Sequence, residues 1–260
     1  MKPYVPRILV FDIENFPLLI HAWTVHEAEA IKVERHAYLA SIAWSWYPED
    51  KIHVRSLRSY PGYNPKNHDD KALIEELWGL FDRADTVVGQ NSDNFDIKLA
   101  NLRFLYHGLG EPSPFSTVDI LKINRTRFRH PSNKLDEVAQ YHGIGRKLPH
   151  TGKNLWFGCQ EGDEKSWRLM EKYNQHDVYL TRKIYDLVKP WAKPSQHPNL
   201  NVLTGDEACT VCQGKNFHKH GWWISKGGTT EYQRLECTKC GHWNRGPLQR
   251  IDKKVGIKSL

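Results

Sequence analysis

At 260 residues, with 39% hydrophobic and 26% charged residues, the chain has room for one sizeable core plus a small appended module. Its longest apolar runs are far too short to span a bilayer, which excludes a helical membrane protein and sets aside a membrane partner. The formal charge of +7 is uneven, because residues 205–260 hold 10 Lys+Arg against 5 Asp+Glu, and so basic a segment suits an acidic partner such as nucleic acid.

The N-terminal run MKPYVPRILVFDIE meets acids without a small-residue cleavage site, so no secretory leader is expected and a cytoplasmic location is the default. In a strand over ILVFDIENFP, residues 8–17, alternation puts Ile8, Val10, Asp12 and Glu14 on one face and Leu9, Phe11 and Ile13 on the other. Two carboxylates thus continue an apolar stripe. At about 5 Å and an effective dielectric near 20 they repel by roughly 3 kcal/mol, so something positive belongs between them.

The β-rich runs 38–48 and 51–59 predict a hairpin that completes an antiparallel meander. Leu73, Ile74, Leu77, Leu80 and Phe81 predict an amphipathic helix over 68–84, followed by a short buried strand in TVVGQNS. Beyond it come a helix over 94–107, a strand near STVDIL, a helix across KLDEVAQYHG and a long helix over 164–188. Strands that meander and then alternate with helices indicate an α/β domain with a mixed sheet flanked by helices. The Gly-, Lys- and aromatic-rich stretch from Gly143 to Gly162 reads equally as an ordered loop beside a substrate or as an ordinary connection. Three prolines between 189 and 208, with few periodic apolar positions, mark a linker, placed at 191–206 between domains at 1–190 and 207–260.

Asp96 falls in the first turn of the helix over 94–107, where the positive helix end also favours it. On the long helix, Met170, Tyr173, Asp177, Leu180, Ile184 and Leu187 follow three-and-four steps, which puts Tyr173 and Asp177 on the inward stripe. A tyrosine there also suits plain core packing, whereas an aspartate is expensive unless paired or bound to a metal. Asp12, Glu14, Asp96 and Asp177 make four inward-leaning carboxylates with no obvious buried cations to neutralise them. Hard oxygen ligands of this kind suit two Mg²⁺ or Mn²⁺ ions, a pair that can activate water against a phosphodiester.

In order and spacing, FDIE, NSDNFD and YNQHD resemble the three motifs of the DEDD 3′–5′ exonucleases, on the ribonuclease H-like fold, over roughly residues 7–188. The histidine branch would place His where this chain has Lys172, so Tyr173 marks the resemblance as DEDDy, the branch that includes family B polymerase proofreading domains. The resemblance implies that Asp12 bridges both ions, Glu14 and Asp177 complete one site, and Asp96 serves the other. It gives Tyr173 the orientation of the attacking water, and Asn91 and Phe95 contact with the terminal nucleotides, although Phe95 equally suits the core. The segment NKLDEVAQYHGIGRK is similar to that preceding the third motif in the polymerase-associated group, which shades the substrate toward single-stranded DNA 3′ ends. An RNA 3′-end exonuclease and a non-catalytic nucleic-acid-binding protein are the alternatives. With no room for a polymerase, proofreading for a polymerase or a replication or repair protein would be supplied in trans.

Cys209-Thr-Val-Cys212 and Cys237-Thr-Lys-Cys240 form two C-x2-C pairs separated by 24 residues, a spacing that can close a tetrahedral, structural Zn²⁺ site. The module resembles a zinc ribbon, with His218, His220 and His242 as substitute ligands close by. Cys159 stands apart as an idle thiol. In the module Phe217, Trp222, Trp223, Tyr232 and Trp243 interleave with Lys215, Lys219, Lys226, Arg234, Lys239 and Arg245, which suits nucleic acid, a protein partner or a small core.

Overall fold

In the computed structural model, which describes residues 4–24, 26, 29–205, 207–225 and 230–250, the chain divides into two units. Residues 7–188 make the first, and residues 189–260 with the N-terminal residues to Pro6 make the second. Lys226, singled out in the sequence, lies outside the described residues.

The first unit is built around β1 (Ile8–Phe16). A small hairpin of β2 (Leu19–His21) and β3 (Lys32–Arg35) follows it, and then come β4 (Tyr38–Tyr47) and β5 (His53–Ser56). Helix α1 (Lys71–Arg83) leads to β6 (Thr86–Gly89), α2 (Asp96–Tyr106) to β7 (Ser116–Asp119), and α3 (Ile120–Arg127), α4 (Leu135–Tyr141), α5 (Lys153–Glu161) and α6 (Glu164–Val188) complete the unit. The sheet runs β5-β4-β1-β6-β7, with β4 antiparallel to β1 and to β5, and β6 parallel to β1 and to β7. It is therefore the mixed sheet flanked by helices that the alternation of elements predicts.

Burial of the periodic apolar residues drives this assembly. Leu73, Ile74, Leu77, Leu80 and Phe81 of α1 pack with Leu9, Phe11, Ile13 and Phe16 of β1, and the Phe11 and Phe81 rings meet edge to face at 5.0 Å. Asp70, fully buried at the N-terminus of α1, ties this face together. It accepts from the backbone N–H of Leu39 at 2.9 Å and from Arg103 Nε and Nη2, and meets His107 Nε2 at 2.7 Å. With Arg103 on both of its oxygens, Asp70 forms a buried ion pair rather than a cation site. The opposite face of β1 and β4 lies under α6, through Ser41, Asn174 and Asp12.

Several elements depart from the sequence reading. β5 stops at Ser56, where a 3₁₀ turn over Leu57–Ser59 begins, and α3 and the β2–β3 hairpin were not foreseen because neither has a clear period. The stretch Gly143–Gly162 is not one loop, since α5 occupies its second half and buries Leu155 and Cys159. On α6, Leu187 is 42% exposed, and Tyr185 and Val188 close the buried stripe instead. A stripe of three-and-four steps drifts on a helix of 3.6 residues per turn, and the fifth step exhausts the match.

In the second unit, the stretch 191–206, expected to be a linker, follows a 3₁₀ turn (Lys189–Trp191), carries a short helix α7 (Asn201–Thr204) and buries Ala192, His197 and Leu200. Polar latches outweigh the prolines there. Leu200 N–H donates to Thr210 O at 2.9 Å, and Asn201 Nδ2 to Ala208 O at 2.7 Å. An antiparallel sheet of β8 (Phe217–Ile224), β9 (Thr230–Cys237) and β10 (Trp243–Arg250) follows, in the order β10-β9-β8. Among the described residues no helix is long and apolar enough to cross a membrane.

Candidate metal centres

Strand alternation delivers Asp12 and Glu14 to the face of β1 beneath α6, and a bulge after Glu14 ends the regular pairing, with Glu14 opposite Ser41 and Asn15 opposite Leu39. Helical spacing places Tyr173, Asn174 and Asp177 above them. Carboxylate oxygens of Asp12, Glu14 and Asp177 lie within 4.8 Å of one another. Asp96, the first residue of α2, is buried outside this trio, yet its charge acts on both Asp12 and Glu14. The crowd resists ionisation. Burial, then Asp96, Glu14 and Asp177, push the Asp12 carboxyl well above the usual carboxylate range. Burial and Asp177 push Glu14 up to about 8, and burial raises Asp96 to about 6 against the pull of the Asp96 and Ile13 backbone N–H groups. The Asp177 side chain is buried, and its Oδ1 has no hydrogen-bond partner. Acceptor-only groups gathered this tightly, one oxygen unpartnered, fit hard divalent cations.

The sequence reading found no cation for these acids, and the structure corrects it. Lys147 Nζ stands 2.5 Å from Asp177 Oδ2 and donates to the Tyr173 hydroxyl at 2.9 Å. Burial opposes its charge, but Asp177 and the two hydrogen bonds outweigh burial and raise its pKa above the ordinary lysine value. The segment between α4 and α5 is held in place by the Lys147 backbone N–H donating to Asp136 Oδ1 at 2.6 Å, and by His176 Nε2 against Arg146 O at 2.7 Å. One ammonium among four carboxylates still leaves an excess of negative charge. Asn174 was also missed. Its Nδ2 donates to Asp12 Oδ2 at 2.7 Å, and Ser41 Oγ donates to its Oδ1 at 2.9 Å, so a fully buried pair of side chains orients Asp12. The one sequence signal for Asn174 was its place beside Tyr173 on the same helix.

Asn91 and Phe95 lie on the turn between β6 and α2. Asn91 adopts a left-handed φ of 59°, and its backbone N–H donates to buried Asp119 Oδ1 at 2.8 Å. The turn needs Gly89, because a Cβ there would stand 2.6 Å from Ser92 Cβ. Phe95 is 61% exposed, so its ring is at the surface, next in sequence to Asp96, and not in the core. Tyr173 is buried, and burial together with Asp177 raises its hydroxyl pKa to about 12 despite Lys147.

In the second unit the sulfurs of Cys209, Cys212, Cys237 and Cys240 also fall within 4.8 Å of one another. The Cys209–Cys240 and Cys212–Cys237 Sγ separations are 3.7 and 3.6 Å. A tetrahedron with Zn–S bonds near 2.3 Å has S···S edges of about 3.8 Å, so the donor set fits zinc. A Cβ at Gly214 would come within 3.0 Å of Cys237 Sγ, and glycine keeps that approach open. Asn244 Nδ2 donates to Cys209 Sγ at 3.6 Å. Two of the three nearby histidines are engaged elsewhere: His220 pairs with Glu236 and His242 Nδ1 meets Pro190 O. Cys159 is fully buried, and burial lifts its thiol pKa to about 12, which makes it inert.

The sequence profile of the RNase H superfamily matches residues 27–189, a span that takes in Asp96, Tyr173 and Asp177 and begins after Asp12 and Glu14. No curated protein matches the chain. Among solved structures, the family B DNA polymerase from the hyperthermophilic archaeon Pyrobaculum calidifontis is similar, with a TM-score of 0.53 and 19% identity over 73% of this chain. The match spans 25% of that polymerase, and at this identity the likeness is one of fold.

Proposed function

The chain belongs to the RNase H superfamily, and from that premise we propose that its carboxylate centre is the active site of a DEDDy-type 3′–5′ exonuclease acting on single-stranded DNA. The observation that carries this reading is the convergence of Asp12, Glu14 and Asp177 within 4.8 Å, with Asp96 and Tyr173 alongside. Asp12, Glu14, Asp96 and Asp177 would hold two Mg²⁺ or Mn²⁺ ions, which when bound supply an acidified water and Lewis-acid stabilisation of the leaving oxygen.

The remaining roles belong to side chains. With a pKa near 12, Tyr173 keeps its proton at neutral pH, so it orients the attacking water and Asp177 rather than accepting a proton. Lys147 steadies Asp177 and presents an ammonium to a phosphodiester oxygen. Asn174 keeps Asp12 in one rotamer. Exposed Phe95 offers a face for stacking the terminal base, and Asn91 a polar contact beside it. In the second unit, Cys209, Cys212, Cys237 and Cys240 would hold one structural Zn²⁺ in a zinc-ribbon module, since four thiolates leave no open position for chemistry.

The test is a gel assay on matched 5′-labelled single-stranded DNA and RNA with Mg²⁺ or Mn²⁺, comparing wild type with Asp12→Asn/Glu14→Gln. A ladder that shortens from the 3′ end of DNA, in wild type alone, is expected. Shortening of RNA alone would reassign the sugar. Binding without cutting of either strand would make the chain a binding protein on a nuclease fold.

A further inference from the structure

The β8–β9–β10 sheet sets two arginines against each other without an acid between them. Arg234 of β9 and Arg245 of β10 are direct cross-strand partners on an exposed face. Like charges placed so are destabilising. Among the described residues neither has an acidic partner, and the nearest acid on that face, Glu236, is taken by His220 at 2.8 Å.

Aromatic rings flank the pair on the same face. Trp223 and Tyr232 are opposed across β8 and β9 with ring centroids 5.9 Å apart, and the Arg245 guanidinium lies 5.0 and 5.2 Å from their two centroids. Two residues before Arg245, and so on its face, Trp243 stands opposite Glu236. Trp223 is 40% and Trp243 51% exposed. Trp222, paired with Gln233, is turned to the other face.

We infer that this face binds single-stranded nucleic acid, with bases stacked on Trp223 and Trp243 and backbone phosphates between Arg234 and Arg245. The polyanion supplies the counter-charge that the opposed arginines lack, and unpaired bases supply flat apolar surfaces for the rings. An apolar protein surface would leave the arginines unmatched, and a duplex would hide its base faces from the tryptophans. The binding surface stands independently of the cleavage chemistry, because none of its residues belongs to the carboxylate centre.

The experiment uses the full chain without added Mg²⁺ or Mn²⁺, so that strands stay intact, and follows the anisotropy of a fluorescein-labelled oligothymidylate. Trp223→Ala and Trp243→Ala are each expected to weaken binding roughly 5- to 100-fold, the range set by removing the platform for one stacked base. Arg245→Ala and Arg234→Ala are each expected to reduce the slope of log affinity against log salt by about 0.7 for every phosphate no longer neutralised. Trp222→Ala should bind as wild type. Bound zinc and far-ultraviolet circular dichroism identify any variant that has lost its fold, and Trp223→Phe, which keeps a ring, should then retain most of the affinity. Wild-type affinity in the Trp223, Trp243 and Arg245 variants would overturn the inference, as would an equal loss in Trp222→Ala. Loss of cleavage with these effects intact would count against the exonuclease reading and leave this one standing.

Discussion

Glu14 sets charge against fold within a single side chain. Its carboxyl rises from 4.5 to about 8, first through burial and then through Asp177, so the folded chain holds a proton that the unfolded chain releases above pH 4.5. The stability this group contributes is complete below pH 4.5 and is lost as the pH climbs through about 8. A neutral isostere removes that dependence. In protein without added divalent ions, Glu14→Gln should melt roughly 2–8 °C above wild type at pH 8 and together with it near pH 4.5, by differential scanning calorimetry. Added Mg²⁺ should narrow the gap at pH 8 by stabilising the wild type. Equal melting at both pH values would show that Glu14 ionises freely. The pairing of Asp12 with Glu14 was legible because strand alternation is strict and carboxylates on an apolar stripe are conspicuous. Lys147 was not. It belongs to a segment without period, and its partners Tyr173 and Asp177 lie 26 and 30 residues away.

Helix α6 carries the largest share of the candidate site and shows what periodicity can and cannot reveal. The inward placement of Tyr173 and Asp177 followed from three-and-four spacing, whereas Asn174 lies off that spacing and was not singled out. A helix that crosses two strands buries a broad stripe, and the residue beside a periodic position is buried too. Asn174→Ala should therefore free Asp12 and leave Ser41 Oγ without its acceptor. The expected result is a loss of about 10- to 100-fold in phosphodiester cleavage, the usual penalty for removing a group that orients a metal ligand. Stability should fall by about 1–3 kcal/mol in urea denaturation. Full activity with lowered stability would confine Asn174 to packing. The short elements stayed hidden for a different reason. β2, β3 and α3 have too few residues for a hydrophobic period to emerge, and the polar latches of α7 outweigh a composition that reads as linker.

Across the whole molecule, the two units differ in what holds them together. The first has the large core around Leu9, Phe11, Phe81 and Trp167, whereas around the cysteines the packed cluster consists of Cys209, Val211 and Cys237 with Cys212, Phe217 and Cys240 against it. So small a cluster cannot fold a three-stranded sheet by apolar burial alone, and under the proposed zinc site ligand bonds would replace it. Removal of zinc with a strong chelator, or Cys237→Ser, should abolish the ordered tryptophan environment of the second unit, read by fluorescence and near-ultraviolet circular dichroism. The melting transition of residues 7–188 should remain. Loss of both together would mean that the units fold as one.

Asp12 and its amide partner Asn174 are 162 residues apart, and Asp177 follows on the same helix. A ribosome making this chain releases the first half of the carboxylate set long before the last. Under the proposed chemistry the growing polypeptide cannot attack the nucleic acid that surrounds its own synthesis, because the set is incomplete until α6 has emerged. On that proposal the order of synthesis alone would keep the centre incomplete until that helix is made.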